Sequence, residues 1–304
     1  MAAVSVLALA ACGQSAANGP DDSSGARNPG TLVFAAVPAE ESTGLEDAYQ
    51  PVMDMLKRET GKQIRFQKAT DYAAIIEGQR NGKVDIAAYG PFSYVLARTS
   101  GVKATPVGAE IDEKGGKPGY RSYGITKSGS KIRGLADFKA KKICFVDPNS
   151  TSGYLYPKAG LIKAGVDPEN DVNPVMAGGH DASALAVANG QCQAGFAFDS
   201  MVDKQLIAKG QLKKGQLDTV WKSELIAGSP LAISDDHDPK LKNTIAKSVQ
   251  DKANVDYLMA NGFCAKGCAV GFEKSWGYAK VDDSSYNGVR KVCQITKDKQ
   301  CTEG

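Results

Sequence analysis

Residues 147–157 read DPNSTSGYLYP. Three hydroxyl side chains, Ser150, Thr151 and Ser152, stand side by side ahead of Gly153 and an apolar, aromatic run with helical character. The N-terminus of a helix presents unpaired N–H groups and about half a positive charge, which suits an anion. Hydroxyls add donors, and a glycine lets the backbone approach closely. One Ser or Thr at such a place is an ordinary N-cap. Three in a row exceed what one cap needs. His180 follows Gly178 and Gly179 and opens another helical run, so a ring nitrogen is available as a donor. Tyr72 and Tyr89 bring phenols to helix and strand ends, where aromatic packing is the simpler role for each alone. Thr43 closes PAEEST (38–43) at a helix start. Asp199 and Ser200 end a strand at FAFDSM.

Other chemistry draws on the same residues. Ser150 or Ser152, His180 and Asp199 are the residue types of a hydrolase triad. The chain has no GxSxG elbow, and a triad is defined by geometry rather than inventory. A zinc site would need close Cys or His spacing. There is no CxxC, and His180 and His237 lie far from the cysteines. The sequence implies neither metal nor cofactor.

The elements that would position these groups alternate. TLVFAAV (31–37), KQIRFQKA (62–69) and KVDIAAYG (83–90) have strand patterns. Between them, LEDAYQPVMDMLKRETG (45–61) and DYAAIIEGQRNG (71–82) have helical spacing, and PFSYVLARTSG (91–101) begins with proline in its first turn. The rhythm restarts with strands at 121–127, 141–147 and 191–199 and helices at 153–165 and 181–190. This predicts two α/β units with mainly parallel sheets. Ligands of such sheets bind at the carboxyl ends of strands, where the polar groups named above fall. The extended segments YRSYGITKSGS and GSPLAISDD carry the chain between units. The helix in DPKLKNTIAKSVQDK packs back on the first.

Composition sets limits. The chain has 304 residues, a net charge of +3 and 23% charged residues. Its basic residues are scattered, which excludes a nucleic-acid footprint. Residues 1–11, MAAVSVLALAA, are too few to span a bilayer. With Cys12 they resemble the end of a bacterial lipoprotein signal, Leu9-Ala10-Ala11-Cys12 being the lipobox, which implies lipidation at Cys12 and a cell-membrane anchor. Residues 13–30 have the composition of a flexible tether. Setting Cys12 aside, six of the seven cysteines remain, an even number in an exported chain. The preferred pairs are Cys144–Cys192, Cys264–Cys268 and Cys293–Cys301, one of 15 possible connectivities.

Three segments, TDYAAIIEGQRNGKVDIAAYGPFSYVLA, DPNSTSGYLYP and GGHDASALAVANGQCQAGFAF, resemble the periplasmic phosphate/phosphite/phosphonate-binding proteins of ABC importers. The resemblance runs from about Leu32 to Pro230. It implies a two-lobed, type II periplasmic-binding-protein-like α/β fold with the ligand in the interlobe cleft. The lobes would be 31–120 with 231–304, and 121–230. It also implies that Ser150, Thr151 and Ser152 hold phosphoryl oxygens with Tyr89 and His180, and that a monomeric receptor delivers its ligand to permease and ATPase subunits; Tyr72 and Thr43 are added as ligand-binding residues for their places at helix starts in the first unit. Members that take an aminoalkyl ligand carry carboxylates at positions that fall here on Ser200 and Ser229. With serine at both, the expected ligand is a small phosphorus oxyanion without an amino tail, phosphate or phosphite. A short alkylphosphonate is the alternative. Asp199 would accept a proton from the anion and so reject sulfate.

Overall fold

The computed structural model describes residues 25–39 and 42–301. Cys12, the lipobox and most of the tether lie outside them. In chain order the elements are β1 (Thr31–Ala36), α1 (Ser42–Thr60), β2 (Gln63–Gln67), α2 (Tyr72–Arg80), β3 (Ile86–Ala88), α3 (Pro91–Thr99), β4 (Ala104–Ile111) and β5 (Ser122–Lys127). Then come β6 (Lys142–Phe145), α4 (Tyr156–Lys163), β7 (Asn173–Met176), α5 (His180–Ala188), β8 (Ala194–Phe198), α6 (Leu206–Ala208) and β9 (Leu217–Lys222). The chain ends with β10 (Pro230–Ser234), α7 (Pro239–Lys252), α8 (Val255–Ala260), β11 (Gly277–Ala279) and α9 (Asn287–Thr296).

The strands form two sheets, ordered β11-β4-β10-β3-β1-β2 and β7-β6-β8-β5-β9. Both are mixed, where the alternating rhythm predicted mainly parallel sheets. The β1–β2, β1–β3, β6–β7 and β6–β8 pairs are parallel, as the rhythm requires. The difference comes from the strands that the chain enters from the other sheet. β10 runs antiparallel between β3 and β4, and β5 antiparallel between β8 and β9. A returning strand inserted within a sheet runs against both of its neighbours.

Burial follows the sequence pattern. The face of α1 carrying Leu45, Ala48, Tyr49, Val52, Met53 and Leu56 is buried at helical spacing. α7 packs on α1 and β4, as predicted. α9 does not stay with the first sheet, because it touches both α3 and α4. The residue just beyond it, Asp298, is buried and pairs with Lys158 of α4 at 2.7 Å. The disulfides are Cys144–Cys192, Cys264–Cys268 and Cys293–Cys301, the three preferred pairs.

The predicted helix 153–165 starts differently. Thr151–Leu155 form a π-helical turn, and α4 begins at Tyr156. Pro157 has no N–H to give the Gly153 carbonyl four residues back. That carbonyl accepts from Val146 N–H instead, at 3.1 Å. Gly153 is required by space: a Cβ there would lie 2.3 Å from Val146 Cγ2.

Candidate functional site

The hydroxyl triplet sits between the sheets and is enclosed. Ser150, Thr151, Ser152, His180 and Tyr72 are each no more than 3% exposed. Ser150 caps the π turn by accepting from Gly153 N–H at 3.1 Å. Its Oγ also meets His180 Nε2 at 3.4 Å. The other ring nitrogen, Nδ1, accepts from Phe198 N–H at 3.3 Å. With Nδ1 an acceptor, the ring proton is on Nε2. Burial pulls the imidazole down to about 3, so the ring is neutral at physiological pH. His180 therefore offers an N–H toward Ser150 and the space beside it.

This geometry removes the hydrolase reading. A triad needs Nε2 bare to take the serine proton and a carboxylate on Nδ1. Here the proton is on Nε2 and a backbone amide is on Nδ1. Asp199 is engaged elsewhere, its Oδ2 accepting from Arg121 N–H at 3.1 Å and its Oδ1 from Ser200 N–H at 2.9 Å.

The two halves of the molecule meet at this cluster. Thr151 Oγ1 accepts from Phe92 N–H at 2.8 Å. Phe92 lies in the first turn of α3, whose leading Pro91 has no N–H to satisfy. Gly90 makes this approach possible, since a Cβ there would lie 3.2 Å from Thr151 Oγ1. His180 N–H donates to Ala39 O at 2.8 Å. The Tyr72 N–H is held by the Asp147 carboxylate. The Tyr72 phenol lies beside Ser150, and the Tyr120 phenol beside Thr151 and Ser152. Burial raises both phenols, so each keeps its proton. The N-termini of α3 and α5 and the π turn thus converge with hydroxyls, phenols and one neutral imidazole. Every one of these groups is an uncharged donor.

One predicted residue stands elsewhere. The Tyr89 phenol donates to Gln79 Oε1 at 3.0 Å, within the first-sheet unit, and so is committed away from the triplet. Sequence reasoning chose Tyr89 and missed Tyr120, which precedes the strand that crosses into the second sheet. Thr43 falls in the first turn of α1, and its side chain is outside the described residues.

Ser200 and Ser229 need a correction. Both hydroxyls turn to one residue that the sequence reading did not consider. Ser200 Oγ donates to the Glu273 carbonyl at 3.0 Å, and Ser229 Oγ meets Glu273 Oε1 at 2.5 Å. Serine at both positions does not leave this region without a carboxyl group; Glu273 brings one from a distant segment.

A surface cavity of about 740 Å³, lined by Tyr156, Leu225, Tyr286 and Ile295 among others, contains none of the cluster residues. No described helix is long and apolar enough to cross a membrane.

Comparison with known proteins bears on the family and the fold. The chain is 46% identical over 308 residues to the phosphate-import protein PhnD of Mycolicibacterium smegmatis, covering 98% of this chain and 96% of that one. It is 32% identical to the phosphonates-binding periplasmic protein of Escherichia coli, over 81% of this chain and 70% of that one. A binding-protein component of an ABC phosphonate transporter from Pseudomonas aeruginosa superposes with a TM-score of 0.75 at 28% identity, covering 88% and 86% of the two chains. These relatives are extracytoplasmic substrate-binding proteins of transporters, not enzymes. The family model described as "ABC transporter, phosphonate, periplasmic substrate-binding protein" matches residues 34–251, and the chain belongs to that family.

Proposed function

We propose that this protein is a lipid-anchored receptor that binds inorganic phosphate or phosphite in the Ser150–Ser152 socket and delivers it to an ABC permease. The observation that carries the reading is the convergence on one enclosed point of uncharged donors from both halves of the molecule: Ser150, Thr151, Ser152, Tyr72, Tyr120, the Nε2–H of His180 and the N-terminus of α3. Such donors stabilise an oxyanion that has left water without bringing a counter-ion that must itself be desolvated. A ligand bridging the halves couples affinity to their closure. One copy supplies every donor, which suits a monomer. The absence of an amino tail now rests on Glu273 being held uncharged by burial beside Glu110, so that it would have to give up its proton to meet an ammonium.

Asp199 has the proton-accepting role in this reading. Each of its oxygens holds one backbone N–H and keeps a lone pair for a phosphate O–H, which sulfate lacks. Asp199→Asn is expected to weaken phosphate and narrow its margin over sulfate. Unchanged values for both would remove the role.

The test is calorimetric titration of ligand-stripped protein with phosphate, phosphite, methylphosphonate, aminoethylphosphonate and sulfate. Tight binding of phosphate or phosphite alone is expected. Preference for methylphosphonate would favour the alkylphosphonate reading that the Escherichia coli relative suggests. Tight aminoethylphosphonate binding would overturn the argument from Glu273. The anchor is tested apart: Cys12→Ala should release the protein from membranes, and retention would refute it.

A further inference from the structure

The segment 270–275 brings a second carboxyl group against one already buried. Glu110 on β4 is 2% exposed and Glu273 is 5% exposed. Glu110 Oε2 accepts from Glu273 N–H at 3.2 Å and from Ser275 Oγ at 3.0 Å. Both of these contacts are donors, as an ionised carboxylate requires. Gly271 packs so tightly on this carboxylate that a Cβ there would lie 2.2 Å from Oε1. Glu273 itself meets Ser229 Oγ. The buried phenol oxygen of Tyr278 faces both carboxyls and has no hydrogen-bond partner among the described residues.

The second-sheet half of the molecule covers this pair. Ser200 Oγ donates to the Glu273 carbonyl at 3.0 Å, Gln205 Nε2 donates to the Phe272 carbonyl at 2.8 Å, and the Phe198 and Phe272 rings are 5.8 Å apart. Phe198 is also the residue whose N–H holds His180. Separation of the halves would strip this cover and admit water to Glu273.

Two carboxylates cannot both ionise at close quarters away from water. The surrounding charges do not relieve them. Asp112 faces both and Asp199 faces Glu273, each with like charge, while Lys274 opposes them at Glu110. The phenols of Tyr49, Tyr120, Tyr278 and Tyr286 also face the pair. Burial raises both carboxyls above their ordinary range.

We propose that Glu110 and Glu273 form a proton-binding site coupled to closure: the closed form holds one proton on the pair, and opening lets it leave. This rests on the proposed function, in which the halves close on an anion. The ligand and the proton then stabilise the same closed state, so each raises the other's affinity. Affinity falls as the pH rises above neutral by more than the ligand's own titration explains.

The experiment is calorimetric titration with phosphate at pH 8 in buffers of low and high protonation enthalpy, on wild type, Glu110→Gln and Glu273→Gln. Phosphate's own proton contributes alike to all three. Wild type should take up about 0.5–1 proton more per site than either variant. Equal proton counts overturn the coupling while leaving phosphate binding standing. Failure of wild type to bind phosphate, phosphite or methylphosphonate overturns the proposed function and the coupling with it. Thermal unfolding at saturating phosphate, which holds the halves closed, reads the pair independently. The folded state holds a proton that the unfolded chain releases, so the wild-type midpoint should fall more between pH 6 and 9 than that of Glu273→Gln. Equal slopes would show that no such proton is held. Both variants preserve side-chain shape, and should one fail to fold, the other serves in both measurements.

Discussion

His180 gives the most exacting prediction, because its protonation state follows from two contacts and its burial. Nδ1 accepts from Phe198 N–H, so Nε2 carries the proton and faces Ser150. Burial moves the group from an ordinary 6.5 to about 3. The folded protein thus declines a proton that the unfolded chain accepts. Stability from this source is fully present above pH 6.5 and is lost as the pH falls toward 3. The gap corresponds to roughly 5 kcal/mol over that window. Two-dimensional imidazole NMR should show an Nε2–H tautomer with no titration between pH 5.5 and 8, and His180→Gln should flatten the acid limb of the unfolding curve. On the ligand side, a hydrogen bond to a charged group is worth about 1.5–3 kcal/mol, so His180→Ala should weaken phosphate about 10- to 150-fold. His180→Gln, which keeps an N–H near the Nε2 position, should recover part of that. An imidazole that titrates near 6.5, or an alanine variant with wild-type affinity, would refute the reasoning.

Tyr120→Phe should weaken phosphate by about 1–2 kcal/mol if its phenol faces the ligand, while Tyr89→Phe, whose phenol is tied to Gln79, should leave titration curves close to wild type. The reverse order would return Tyr89 to the site. Thr151→Val leaves the Phe92 N–H without its acceptor only when the halves are joined, so affinity should fall about 5- to 150-fold, with recovery in Thr151→Ser. Asp298→Asn should cost about 3 kcal/mol in urea unfolding because the buried Lys158 ammonium loses its buried partner, whereas Glu169→Gln, which changes an exposed side chain, should cost under about 1 kcal/mol.

What the sequence revealed and what it concealed divide by the range of the forces involved. The β-α alternation and the hydroxyl triplet are local: periodicity, Gly153 and a helix start lie within a dozen residues. The π turn was also within local reach, since Pro157 frees the Gly153 carbonyl. The antiparallel entry of β10 and β5 was not, because pairings such as Leu231 with Ala88 join segments more than a hundred residues apart. The same holds for the direction of a phenol. Tyr89 and Tyr120 look alike as letters, and only the position of Gln79 and of the crossing strand turns one inward and the other onto the triplet.

Glu273 shows the limit most clearly. Reading Ser200 and Ser229 in place of carboxylates suggested an absence of charge. The chain instead brings Glu273 to both serines, its main-chain carbonyl to Ser200 and its carboxyl group to Ser229, from the segment 270–275, which has no periodicity and lies beyond the matched residues. A position-by-position comparison detects a residue that has changed, but not a carboxyl group that another segment brings to the same place. Whether the relocated group arrives charged or neutral then depends on Glu110, more than a hundred and sixty residues away. In the proposed coupling, one buried carboxyl sets the charge of the other, and the covering half of the molecule sets the charge of both.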